Sequence, residues 1–247
     1  MLYLIGLGLG FKDLSVKSLE TIKKCSEVYL ENYTCTPGFD LKKFEKLISK
    51  RVQLLDRDHV EIVKPFFQNA KTKNIALLVN GDIMAATTHS EILQEAKKKK
   101  IKIRLMHGPS VMTAIADTGL SIYKFGKTAS IPFWQENFKP ESFFKILEQN
   151  QKIDAHTTFL LDLKPPTFMT IKQAIETLLT VAKKRKSKLF TQKTFCIACS
   201  QLGTDKQIIR SGTVKELINK RFGTPACLIV PGKLAEYEQE AINVFIK

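Results

Sequence analysis

Four short stretches carry residue types that could hold or transfer a chemical group. The first is Gly6-Leu7-Gly8-Leu9-Gly10. A turn that cradles a dinucleotide needs G-x-G-x-x-G, with the last glycine opening the helix that receives the pyrophosphate. The register here is G-x-G-x-G, which lacks the third spaced glycine of that fingerprint. The second stretch is "LLVNGDIMAATTHSEI", where an apolar run leads straight into Gly81-Asp82. In an α/β sheet, ligands bind at the carboxyl ends of strands. Asp82 is therefore a ligand-facing candidate that can accept hydrogen bonds from hydroxyls or a cationic amine; its alternative role is a turn residue or helix cap. Thr87 and Thr88 are expected to cap the following helix. His89 is either a ligand contact or a structural residue near that helix start. The third stretch, "HGPSVMTAI", has the same grammar, with Ser110 able to cap a helix whose amides favour an anion or an acceptor. The fourth, "FLLDLKPP", sets Leu161 and Asp162 before a double proline that forbids ordinary helix continuation.

The cysteines point elsewhere. Cys25, Cys35, Cys196, Cys199 and Cys227 are odd in number and too sparse for a disulfide framework, which fits a reducing cytosol. Cys196 and Cys199 match C-x-x-C, but on a strand residues three apart face opposite ways. No second such pair exists to complete a structural zinc site, so no metal is expected. His89-Ser90-Glu91 combined with that pair resembles the zinc-deaminase signature only superficially, because Phe195 stands where the proline belongs.

These candidates need elements to position them. Leu2 to Ile5 read as a short buried strand, and Ser15 precedes the helical spacing Val16, Leu19, Ile22. Strand-like runs recur at 27–31, 52–55, 75–79 and 101–106, mostly with helical patterns between them, which argues for a largely parallel sheet flanked by helices. A helix-like stretch then runs to Gly119. A second set follows: a strand at "TASIPF", a helix at "PESFFKILEQN", a strand at "TTFLLDL", a long helix over 170–184, strands at "TFCIACS", "QIIRSG" and "ACLIV", and a last helix from Ala235. The reading is two α/β domains, residues 1–108 and 109–247, without internal repeats.

The chain has 247 residues and 39 Lys and Arg against 24 Asp and Glu, a formal charge of +15 that would steer anionic partners. The runs "AKKKKIK" and "KKRKSK" are expected at helix C-termini, where cations favour the macrodipole. No apolar run approaches the ~20 residues that cross a bilayer, so a soluble intracellular protein with no membrane partner is expected.

Several segments carry a family likeness. "MLYLIGLGLG", "CSEVYLENYT", "GDIMAATTHSEI", "SIYKFGKTASIPFW", "KPESFF" and "HTTFLLDLK", in that order, resemble the diphthine synthases, a family of tetrapyrrole-methylase-like S-adenosylmethionine-dependent methyltransferases. The likeness continues more loosely through "CSQLGTD", "IIRSGT" and "LIVPG". It implies two α/β domains with S-adenosyl-L-methionine, whose product is S-adenosyl-L-homocysteine, in the cleft between them, in a cytoplasmic homodimer. It implies as acceptor the modified histidine of translation elongation factor 2, whose aminocarboxypropyl group is methylated repeatedly on nitrogen to form diphthine. Carried over by position, the cofactor contacts are Leu9, Asp82, Ala85, Ser110, Val111, Leu161, Leu202 and Cys227. The family usually reads Gly-Asp-Pro where this chain has Gly81-Asp82-Ile83, and a histidine is common where Cys227 stands. The rival readings are another methyltransferase of the same fold, acting on a tetrapyrrole or ribosomal RNA, and a non-catalytic RNA- or ribosome-binding protein. The first reading requires no direct nucleic-acid binding.

Methyl transfer from a sulfonium is an in-line displacement, so the main task is to hold nucleophile and methyl carbon in near-attack geometry and exclude water. The acceptor must be a neutral amine. With an α-amino pKa of about 7.7–8.0, deprotonation near neutral pH costs only about 1 kcal/mol, so no strong base is demanded and none is assigned. Tyr123, Phe125, Phe133 and Trp134 are candidates to face a quaternary ammonium product, with core packing as the alternative.

Overall fold

The computed structural model describes residues 1–33, 40–85 and 89–245; Cys35, Thr87 and Thr88 lie outside the described residues. The chain divides into two compact units, Met1–Met112 and Thr113–Lys247.

In the first unit, strands β1 (Leu2–Gly6), β2 (Glu27–Glu31), β3 (Gln53–Leu55), β4 (Ile75–Val79) and β5 (Ile103–Met106) form one parallel sheet in the order β3-β2-β4-β1-β5. Helices α1 (Val16–Lys24), α2 (Leu41–Ile48) and α3 (Ser90–Lys98) lie along the chain between strands. Ser15 caps α1 by accepting from the Ser18 amide at 3.1 Å. Along β1 and β4 the side chains alternate between two cores, as a period of two requires. Leu2, Leu4, Ile75, Leu77 and Val79 join Phe66, Ile83 and Ile92 on one face, while Ile5, Leu7, Ala76 and Leu78 join Ile22, Phe44 and Ile48 on the other. A central strand buried on both faces has no polar side to show, which is why "IALLV" reads as an unbroken apolar run.

The helix-like stretch that ends at Gly119 resolves into α4 (Val111–Ala114), within which the two units divide, and a tighter turn over Ile115–Thr118. The second unit then carries β6 (Ala129–Ile131), α5 (Ser142–Gln151), β7 (Thr157–Leu161), the hairpin β8 (Leu163–Lys164) and β9 (Thr167–Phe168), α6 (Ile171–Lys184), β10 (Phe195–Ser200), β11 (Ile208–Thr213), α7 (Val214–Leu217), β12 (Ala226–Val230) and α8 (Glu236–Phe245). Its main sheet runs β11-β10-β12-β7-β6. Only β6 and β7 pair in parallel; the other neighbours are antiparallel. For β10 and β11 the reason is connection length: residues 201–207 alone join them, too few for the crossover that a parallel pair demands.

Helix α6 presents Ile171, Ala174, Ile175, Leu178, Val181 and Ala182 as one buried stripe. That stripe packs with Phe143, Phe144 and Leu147 of α5 against Phe159, Leu161, Leu228 and Val230 of the sheet. Phe133 and Trp134 border the same core, and the indole Nε1 donates to the Pro140 carbonyl at 3.1 Å.

Both basic runs fall at helix C-termini. Lys97 and Lys98 end α3, and Lys183 and Lys184 end α6. Lys184 meets Glu141 at 2.6 Å, while Arg185 reaches Glu141 at 3.1 Å and Glu148 at 3.4 Å. None of the described helices is long and apolar enough to cross a membrane.

Candidate functional site

At the carboxyl end of the first sheet, three neighbouring strands finish in glycine turns. Strand β1 lies between β4 and β5, so the turns after Gly6, after Val79 and after Met106 adjoin. Leu7 donates its amide to the Val79 carbonyl at 2.8 Å, and Gly8 and Gly81 exchange two backbone hydrogen bonds at 3.1 and 2.7 Å. Gly8 and Gly81 have φ of 79° and 76°, a left-handed conformation that glycine adopts without strain. Gly6 and Gly108 are needed for closeness: a Cβ on Gly6 would stand 2.6 Å from the Gly81 carbonyl oxygen, and one on Gly108 would stand 2.8 Å from the Gly8 nitrogen. The glycines of the first stretch thus let three backbones touch.

Two carboxylates lock this arrangement. Asp13 Oδ2 accepts from the Leu9 and Gly10 amides at 3.0 and 2.9 Å, holding the first turn. Asp82 holds the other two. Its Oδ1 accepts from the Met84 amide at 2.8 Å, and its Oδ2 accepts from the Gly108 amide at 3.2 Å and from His107 Nδ1 at 2.8 Å. The turn role expected of Asp82 is thus filled by this side chain, which is 14% exposed. Asp13 and His107 were not singled out by sequence. The signal for His107 is its place immediately after a strand that ends at Met106; for Asp13 it is the polar residue three beyond the last glycine of the run.

The segment after Asp82 is anchored from below. Ile83, standing where the family usually has proline, is fully buried in the core. Its carbonyl accepts from His89 Nδ1 at 3.0 Å, and His89 Nε2 donates to Glu31 Oε2 at 2.6 Å. Both nitrogens of His89 face acceptors, so the ring is satisfied only as an imidazolium. Burial opposes that charge, but the hydrogen bond and attraction of Glu31 outweigh it, and the His89 pKa is raised. His89 is thus a structural residue, and the buried Glu31 is a partner the sequence did not disclose.

Of the expected contacts, Leu9, Asp82, Ala85, Ser110 and Val111 all lie on these three strand ends. Ala85 and Val111 are half-buried. Ser110 is buried, accepts from the Met112 amide at 3.2 Å, and its Cβ lies 3.8 Å from where a Cβ on Gly81 would stand.

The remaining three share one end of the second unit's sheet. Leu161 ends β7, Leu202 follows β10, and Cys227 pairs with both Leu160 and Cys199 near the start of β12. All three are buried. Leu161 belongs to the helix-covered core, whereas Cys227, opposite Leu160, points to the other face of the sheet with Cys199. Asp162 turns back to accept from the Phe133 amide at 2.9 Å. Cys196 sits in the α6-facing core and Cys199 opposite Cys227, so the C-x-x-C thiols point apart. Burial pushes the Cys196 thiol up, and the hydrogen bond with Cys227 together with burial raises Cys199. No metal-binding cluster occurs among the described residues.

The aromatic candidates have separate environments. Tyr123 is 95% exposed, Phe125 meets the His156 ring edge-on at 5.2 Å, and Phe133 and Trp134 pack on the core. His156 is buried and accepts from the Gly232 amide at Nδ1, 3.0 Å, while Nε2 donates to Glu238 at 2.9 Å. That pattern fits a neutral ring, and burial, outweighing the Glu238 contact, lowers its pKa.

Residues 1–218 match the model of the tetrapyrrole (corrin/porphyrin) methylases. A diphthine methyl ester synthase of Saccharomyces cerevisiae is 39% identical over 94% of this chain and 85% of its own length. A diphthine synthase of Methanococcus maripaludis is 38% identical over 98% of each chain. A diphthine synthase crystal structure superposes with a TM-score of 0.90 at 34% identity, covering 99% of this chain and 95% of its own. With the matched model spanning both units and these relatives aligned almost end to end, the chain belongs to the tetrapyrrole methylase family and, within it, to the diphthine synthases.

Proposed function

We propose that this chain is an S-adenosylmethionine-dependent methyltransferase of diphthamide biosynthesis, acting on the aminocarboxypropyl-modified histidine of translation elongation factor 2. The observation that carries the reading is the glycine-lined meeting of three strand ends in a chain whose relatives are named as diphthine synthases and diphthine methyl ester synthases. The described residues fit the cofactor: nothing lies within 4 Å of a Cβ built on Gly10, and only the Ser110 Cβ approaches one on Gly81, so backbone there is open to a ligand. The side chains beside it, Leu9, Val111 and Ala85, are apolar, and Asp82 offers a carboxylate to a cationic amine.

Leu9, Asp82, Ala85, Ser110 and Val111 on the strand ends are the proposed cofactor contacts, and Leu161, Leu202 and Cys227 are added by the family likeness. When bound, S-adenosylmethionine supplies an electrophilic methyl group on a sulfonium. The chain's own contribution is to orient the acceptor nitrogen and exclude water. The name of the yeast relative adds a methyl ester, so a further transfer to the carboxylate oxygen is the second reading for this chain. A cytoplasmic homodimer completes the proposal.

Intact mass spectrometry of elongation factor 2 bearing the unmethylated side chain, incubated with the enzyme and S-adenosylmethionine, tests substrate and reaction together. Methyl-sized mass steps are expected, and their number tells nitrogen methylation alone from an added ester. No shift with competent substrate defeats the assignment. Calorimetry with S-adenosylhomocysteine should show Asp82→Ala weakening the complex; unchanged affinity removes Asp82 from the site. Strongly salt-dependent RNA binding without S-adenosylhomocysteine affinity would favour the non-catalytic rival.

A further inference from the structure

The methyl-transfer reading leaves one chemical need without a residue. Each transfer to nitrogen requires a lone pair, so the starting ammonium and every methylated ammonium that follows must lose a proton before the next methyl can arrive. The chain has four histidines, and each has a carboxylate partner. His89 and His156 are buried with both ring nitrogens engaged. His59 pairs with Asp56 three residues away, beyond β3, at the edge of the sheet farthest from β5.

His107 differs from these three in its place. It stands directly after β5 among the three glycine turns, its side chain is 65% exposed, and its partner Asp82 comes from a different strand end, 25 residues away. Asp82 is itself held by the Met84 and Gly108 amides, so the carboxylate presents Oδ2 to the ring from a fixed position. Because a carboxylate accepts, His107 Nδ1 is the donor, and in the neutral ring Nε2 carries the unshared pair. No partner of Nε2 occurs among the described residues. Of the charged groups on the three turns, Asp82 is bonded to the ring, Asp13 is turned onto the Leu9 and Gly10 amides, and Lys12 is exposed.

We infer that His107 is the proton acceptor of this methyltransferase, with Asp82 as the positioning residue that fixes its tautomer. This rests on the function proposed above. The N–H bond of the substrate ammonium breaks, its electron pair stays on nitrogen as the nucleophilic lone pair, and the proton bonds to His107 Nε2. The resulting imidazolium faces the Asp82 carboxylate and returns the proton to solvent before the next cycle. An imidazole suffices because the proton is only weakly held near neutral pH. The same orienting logic, a carboxylate on Nδ1 and a working Nε2, operates in hydrolytic triads.

Two measurements test it. In ¹⁵N-histidine NMR of the whole enzyme, the neutral His107 ring should be the Nδ1–H tautomer, and Asp82→Asn should disturb that preference; an Nε2–H ring in the wild type overturns the inference. In the mass-spectrometric assay, His107→Gln, whose amide can still donate to Asp82 but cannot accept a proton, should slow nitrogen methylation about 6- to 10-fold at neutral pH, where solvent leaves about a tenth of the amine neutral. The deficit should vanish at alkaline pH, where the amine is already free, with S-adenosylhomocysteine binding retained. A wild-type rate in the variant, a deficit equal at every pH, or a loss of binding matching the loss of rate overturns it. If the wild type itself adds no methyl group, the parent function fails, a result distinct from all of these.

Discussion

A single carboxylate oxygen on Asp13 receives two backbone amides, and that is enough to set the direction in which Leu9 and Gly10 leave the sheet. Asp13→Ala should cost about 1 kcal/mol, as loss of a capping side chain does, measured by urea unfolding, and should weaken S-adenosylhomocysteine binding by loosening Leu9. The Glu31–His89 pair is a larger stake because both side chains are buried. Removing one partner of such a pair typically costs about 3–5 kcal/mol, so Glu31→Ala should lower the unfolding midpoint sharply. Since the folded-state pKa of His89 is raised, the stability contributed by its proton is complete below the ordinary histidine range and fades as pH rises through the higher folded value. Glu31→Gln should flatten that alkaline decline. At this scale sequence reading reached Asp82 and Ser110, because an apolar run followed by Gly-Asp or Gly-Pro-Ser betrays a strand end. It did not reach Glu31, whose place at the end of β2 gives no sign of a histidine 58 residues away, nor the bond that joins His107 to Asp82. Such pairings are made by the sheet, not by local spacing.

Among elements, the three adjoining strand ends are the most demanding feature. Gly6→Ala places a methyl 2.6 Å from the Gly81 carbonyl oxygen, and backbone, unlike a flexible side chain, has little room to retreat. Overpacking of this kind costs about 1–3 kcal/mol. Gly6→Ala should therefore lower the melting temperature and abolish S-adenosylhomocysteine binding together, whereas Gly10→Ala, which meets nothing within 4 Å among the described residues, should leave the fold intact. The parallel sheet was legible because its strands are short apolar runs separated by helical spacing. Strand order within the second sheet was not: β10 and β12 are sequence-distant yet paired, with Cys199 opposite Cys227, and nothing in a period of two announces a neighbour. The "GPSVMTAIADTGL" stretch kept its helical character but not its length, since the helix tightens after Ala114 and closes at Gly119 with φ of 85°.

For the whole molecule, the titrating pairs set opposite limits. Glu238 is fully buried, and although burial alone would raise its pKa, the Ala235 amide, Lys124, His156 and the Ser121 amide hold it down at about 2. Its contribution is present above the ordinary glutamate range and is lost as pH falls through about 2. His156, kept neutral by burial, acts in the same direction, since protonating it at acid pH opposes folding. His89 acts in the other. Stability measured by denaturant titration should therefore peak between the acid and alkaline arms, and Glu238→Gln should flatten the acid arm alone. The charge of +15 adds a self-repulsion that salt screens, so moderate salt should raise the melting temperature.

The packing of Trp134 has a practical consequence. It is the only tryptophan in the chain, its ring borders the core of the second unit, and its indole nitrogen is tied to Pro140. Intrinsic indole emission is thus a built-in optical probe of residues 113–247, shifting to the red when that core opens to water. Melting of the parallel sheet leaves no such mark of its own, so circular dichroism recorded beside the emission would separate the two halves of an unfolding curve without any label.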